Sequence, residues 1–136
     1  MKKNPFTQFD PRECGILADA LQKGKEKATK LGVIIEDTWS YFYREFNNEG
    51  YYCCAIGYAG LSLCETLEET YEYFHISHSH VLHPTNQVAK DLGISAKLCH
   101  IVDDSHSIGE TYCNRDAIIK LLHEVAVGTA KPTAQQ

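Results

Sequence analysis

Four histidines fall at positions 75, 78, 80 and 83, within the nine-residue segment "HISHSHVLH". Imidazole is the commonest metal ligand, and zinc asks for three or four donors. In an extended chain His78 and His80 share one side. In a helix His75 neighbours His78, and His80 neighbours His83. Neither geometry turns all four rings to one ion, so a metal centre here needs donors from elsewhere. His100, Asp103, Asp104 and His106 offer them within seven residues. The candidate ligands for zinc or another divalent metal are therefore His75, His78, His80, His83, His100 and His106. The plainer reading is a polar surface loop. Serines 77, 79, 105 and 107 are interspersed, and no Cys-x2-Cys or His-Glu-x2-His spacing occurs. The expectation is an exposed connection without a tightly held ion and hence no cofactor, with a metal-binding protein or metal-dependent hydrolase using the His75–His83 loop as the alternative.

A second candidate is the vicinal pair Cys53–Cys54. A thiol at a helix N-terminus feels the positive end of the helix dipole, which lowers its pKa. His106 or His100 would then be the base, oriented by Asp104 or Asp103. The catalytic set under this reading is Cys54, His106 and Asp104. The competing reading makes the cysteines small hydrophobes packed before an apolar helix. It places Asp103 and Asp104 at the end of a short helix, bonded to loop amides. The segment "AIGYAG" has glycines but no Gly-Lys-Ser/Thr element, so it is no phosphate loop. Eight tyrosines remain. Tyr41, Tyr43, Tyr51, Tyr71 and Tyr73 are the candidate binding residues, because tyrosine combines a large contact area with a polar tip. Their other reading is a rim of half-buried rings around the core.

The elements that would position these residues are mostly helical. Asp10 caps a helix with Pro11 at its first position and Glu13 completing a capping box. Cys14, Leu17, Ala18, Leu21, Ala28 and Leu31 form its apolar stripe, and Gly32 stops it. Lys23, Lys25, Lys27 and Lys30, interrupted by Glu26, read as its solvated face. Residues 38–52 fit either a helix or a hairpin, with the aromatic content and the "NNEG" turn favouring the hairpin. "CCAIGYAGLSLC" reads as a buried helix whose Gly57 and Gly60 cost roughly 1 kcal/mol each relative to alanine unless a neighbour approaches closely. Thr66 and Glu69 form a capping box for "TLEETYEYF". "PTNQVAKDLG" is a short helix ended by Gly93. "SAKLCHIVDD" is another, followed by a loop over "SHSIGETYC". Asn114 caps "RDAIIKLLHEVAV". The expected buried set is Leu17, Leu21, Ile56, Ala59, Leu98, Val102, Ile118, Leu122 and Val125.

The fold class that follows is mainly α. One compact domain spans 1–127, with five or six short helices and room for one small β-hairpin, and residues 128–136 form a flexible tail. The 136-residue chain is 43% hydrophobic and 23% charged, enough to bury a core without metal or disulfide. A net charge of −5 disfavours nucleic acid as a partner. No apolar run approaches membrane-spanning length, and "MKKNPFTQFD" lacks the apolar core of a signal peptide. The expected compartment is the cytoplasm, with the six cysteines mainly free thiols.

Three pieces in order, "CAIGYA" opening a helix, then "IVDD", then the capped "NRDAIIKLLHEVA", resemble a family of small uncharacterised bacterial and phage proteins. Those carry a Cys-Ala-Leu-Gly-type helix start, an Asn-Asp pair and a capped final helix. Cys54, Ala55, Ile56 and Gly57 match the first motif, and Trp39 matches a tryptophan common upstream of it. Asp104 matches the aspartate of the pair, while Asp103 stands where asparagine is usual. The resemblance implies a mostly helical domain and no particular activity. The functional expectation is a small cytoplasmic, non-enzymatic accessory protein that binds another protein through an acidic, tyrosine-rich face.

Overall fold

The computed structural model describes residues 4–37, 42–44, 50–75, 83–107 and 115–128, with backbone only for Asp37, Tyr43, Arg44 and residues 105–107. Trp39, Tyr41, His78, His80, Cys113 and Asn114 lie outside the described residues. So do the side chains of Tyr43 and His106, and the proposed tail beyond Gly128.

The fold is mainly α, a single compact domain. Among the described residues the helices are α1 (Pro11–Lys30), α2 (Ala55–Leu63), α3 (Leu67–His75), α4 (Pro84–Leu92), α5 (Ala96–Ser107) and α6 (Arg115–Ala126). The longest, α1, runs for 20 residues within the span read from the Asp10 cap to the Gly32 stop. Asp10 accepts a hydrogen bond from the Arg12 amide at 2.9 Å, as a good N-cap does. Glu13 does not complete the capping box; its carboxylate accepts instead from the Ser95 amide, at 3.0 Å, at the start of α5. The expected box at α3 is half formed: the Glu69 amide donates to Thr66 Oγ1 at 3.0 Å. Gly93 ends α4 with φ +74, a conformation open to glycine at little cost.

Every residue from Ala55 to Leu61 is buried. α2 is the central helix, touching α1, α3, α4 and α5, while α1 also packs along α6 and α4 pairs with α5. The close approach of α1 to α2 depends on Gly24, where a Cβ would run into the Tyr58 carbonyl. Gly60 does the same for α3, since a Cβ there would strike the Phe74 ring. The nine residues expected in the core are all buried in one cluster, which also takes in Phe6 from the N-terminal turn. Leu31 is the exception on the α1 stripe, 45% exposed just past the helix end.

Three strands lie beside this bundle: β1 (Ile35–Asp37), β2 (Tyr43–Arg44) and β3 (Tyr51–Cys53), in the order β1-β3-β2. β2 and β3 run antiparallel with Tyr43 opposite Tyr52, the hairpin arrangement favoured for 38–52. β1 pairs parallel to β3 with Ile35 opposite Tyr51, so a hairpin alone is an incomplete description. A parallel pair has no connecting turn to betray it in sequence. Among the described residues no helix is long and apolar enough to cross a membrane.

Candidate functional site

The histidines divide between two places. His75 closes α3, and its Nε2–H donates to the Phe42 carbonyl at 2.6 Å. Its ring stacks on Tyr71 at 4.3 Å between centroids. It therefore ties the sheet to α3. His83 caps α4, where its Nδ1 accepts from the Thr85 amide at 3.2 Å. Its ring lies 5.3 Å from that of His100 on α5. Thr85, fully buried, sits between the two rings. Its Oγ1 is 2.6 Å from His83 Nδ1 and 3.3 Å from both Nδ1 and Nε2 of His100. Asn86 Oδ1 accepts from His100 Nε2–H at 2.7 Å. Two of the six candidate ligands are thus brought together, by α4 packing on α5. Among the described residues no three His, Cys, Asp or Glu side chains gather as a metal centre would need.

Cys54 is the N-cap residue of α2, as its position before the apolar run implies, but it is fully buried. Burial pushes its thiol well above the ordinary value. The Gly57 amide at the helix start pulls the other way, while Cys53 and Asp103 add to the rise. The dipole effect that would activate a thiol is outweighed by desolvation, so Cys54 is protonated at neutral pH. α5 continues to Ser107, so Asp103 and Asp104 lie within the helix rather than at its end, and residues 105–107 are helical rather than loop. The helix runs on because nothing in "SHS" breaks it; serine and histidine are neutral there, and no Gly or Pro intervenes.

Cys53 has a partner that sequence reasoning overlooked. Arg115 opens α6 and lays its guanidinium 4.3 Å from the centre of the Tyr58 ring. It donates to the Ile35 carbonyl at 2.6 Å and to Cys53 Sγ at 3.4 Å. One planar fork thereby joins β1, β3, α2 and α6. Lys27 is the other surprise. Its Nζ donates to the Leu61 carbonyl at 3.1 Å and to that of Cys64, capping the C-terminus of α2. It is therefore no part of a merely solvated face. Lys25 bridges α1 to Asp116 of α6 at 2.8 Å across the lip of a groove of about 380 Å³ lined by Ala18, Gln22 and Ile119.

Among the proposed binding tyrosines, Tyr51, Tyr71 and Tyr73 are half-buried and pack on the core. Tyr51 meets Phe42 at 6.1 Å between ring centres, and Phe42 is held by His75, which stacks on Tyr71. These form one continuous aromatic band from β3 to α3. Tyr73 points elsewhere, donating to Asp91 Oδ2 of α4 at 2.6 Å. Burial and that carboxylate drive its hydroxyl well above the ordinary tyrosine range. Beside the band, Glu65, Glu68, Glu69 and Glu72 are exposed, and α3 carries no lysine or arginine. Comparison of the chain with protein families, curated proteins and solved structures returned no match.

Proposed function

We propose that this protein is a small, non-enzymatic accessory protein of the cytoplasm, bacterial or phage-encoded, that binds a protein partner through the acidic outer face of α3 and the tyrosines next to it. The observation that carries this reading is the charge pattern of α3. Glu68 and Glu69 lie in its first turn, where carboxylates favour the helix dipole. Folding therefore accounts for them. Glu72 has no such account. It stands one turn beyond Glu68 on the exposed side, and like charges at that spacing cost about 0.2–0.5 kcal/mol. A carboxylate with no cation paired to it among the described residues, beside the half-buried Tyr71, fits a face that meets lysine or arginine from a partner, since a ring and a carboxylate together receive a cation well.

The test is affinity capture with the intact chain and with a Glu68→Lys/Glu72→Lys variant, compared after circular dichroism has established equal folding. The expected result is a partner retained by the original chain at low salt, weakened by added salt and lost in the variant. Identical recovery of every captured protein by both chains would overturn the reading.

A further inference from the structure

We propose that the end of the molecule where α1 and α2 finish is a docking surface for a basic amphipathic helix of a partner protein. The proposal rests on the protein-binding reading above and adds what the partner must bring. It starts from the apolar side chains that folding leaves outside. Among the described residues the exposed large hydrophobics are Leu31, Ile34, Leu63 and Val127. Val127 follows Ala126, which packs on Gly15 near the start of α1. The other three gather at the opposite end. The bonds from Lys27 Nζ to the Leu61 and Cys64 carbonyls hold the last turn of α1 against the last turn of α2. Leu31 stands one turn beyond Lys27 on the same side of α1, and Leu63 lies between the two bonded carbonyls in the α2 chain. Gly32, at φ +75, turns the chain from α1 towards β1. Ile35 is buried in the core, so strand alternation turns Ile34 and Glu36 to the outside. Ile34 is 83% exposed there.

Apolar side chains scattered singly over a surface need no explanation, but several at one end of a small domain make a patch of the kind that partners cover. Charge decides what covers this one. Glu36 shares the outer face with Ile34, and Glu65, Glu68 and Glu69 follow Leu63 into the first turn of α3; all are exposed. Lys30, exposed in the last turn of α1, is outnumbered by them, and Lys27 is engaged by the α2 carbonyls. A second copy of this chain would bring the same carboxylates, and like charges facing one another oppose association. A helix with apolar residues at i, i+3, i+4 and i+7 and lysine or arginine on its flanks answers both the patch and its acidic rim. The rim also steers such a segment in from solution.

The probe is a fluorescently labelled peptide of about 20 residues, leucine along one helical face and lysine along the other, titrated with the full chain and followed by anisotropy. Wild type should bind it saturably, and less tightly as salt is added. A peptide of the same composition in scrambled order should bind weaker by about tenfold or more, because it cannot present its leucines together. Leu31→Ser/Ile34→Ser should weaken binding of the ordered peptide by about tenfold or more. Glu65→Lys should weaken it several-fold, while Asp19→Lys, in the groove between α1 and α6, should leave it nearly unchanged. Thermal melts check that each variant is folded; should the double variant fail, Ile34→Ser alone carries the test, since Ile34 lies outside the core. No saturable binding by wild type, equal binding of the scrambled peptide, or equal binding by Leu31→Ser/Ile34→Ser would each overturn the inference. So would a concentration-dependent dimer of wild type that Leu31→Ser/Ile34→Ser abolishes, which would assign the patch to a second copy. A chain that captures its partner through Glu68 and Glu72 but binds the peptide regardless of Leu31 and Ile34 keeps the reading above and loses this one.

Discussion

A buried thiol is informative through what it resists. Cys14 and Cys99 are fully buried, and burial, with Asp10 and Glu13 adding for Cys14 and Glu13 and Asp103 adding for Cys99, pushes them from 9.0 to about 11 and about 12. The folded state then holds protons that the unfolded chain releases above pH 9. Stability is full below the unfolded value and falls as pH rises from about 9 towards 11–12. Denaturation midpoints measured across that range should decline, and less steeply in Cys14→Ala or Cys99→Ala. A flat profile would mean that the thiols are solvated. These positions were readable in the sequence as small hydrophobes. What the residues around Cys54 did not disclose was that desolvation would exceed the pull of the helix start.

Elements meet here through contacts that no local pattern announces. Gly24 lies in the middle of α1, where replacing glycine by alanine ordinarily gains roughly 1 kcal/mol of helix propensity. At this site the new methyl would strike the Tyr58 backbone, and overpacking costs about 1–3 kcal/mol or more. Steric cost wins, so Gly24→Ala should destabilise; a rise in melting temperature would show that α1 and α2 do not touch there. Lys27→Met probes the α2 terminus. It preserves the aliphatic stem but removes the donor to the Leu61 and Cys64 carbonyls. The loss expected in a denaturant titration is about 1–2 kcal/mol, below the full value for a charged hydrogen bond because Lys27 is only half-buried. A change near zero would make the lysine an ordinary surface residue.

For the whole molecule the core is the main source of stability. Leu122 on α6 is fully buried in the cluster that unites the helices, and Leu122→Ala should cost about 2–5 kcal/mol. A loss below about 1 kcal/mol would contradict its packing. Cys14, Cys53, Cys54, Cys64 and Cys99 are buried free thiols. Melts with and without reductant should coincide, and a large fall in midpoint under reductant would reveal a cross-link in solution.

The sequence by itself determined the helices and the faces they bury. Caps such as Asp10 and stops such as Gly93 act through backbone groups a few residues away, and stripes such as Ile118–Leu122–Val125 follow from helical periodicity. Such information is local, so it survives without a fold. Only the tertiary structure decided the parallel pairing of Ile35 with Tyr51, the capping of α2 by Lys27 and the fork of Arg115 across four elements. It also decided which histidines meet: His83 finds His100 because α4 packs on α5, while His75 is drawn to the Phe42 carbonyl. Each of these joins residues far apart in the chain, where side-chain type fixes what a group can bond to and packing fixes what it reaches.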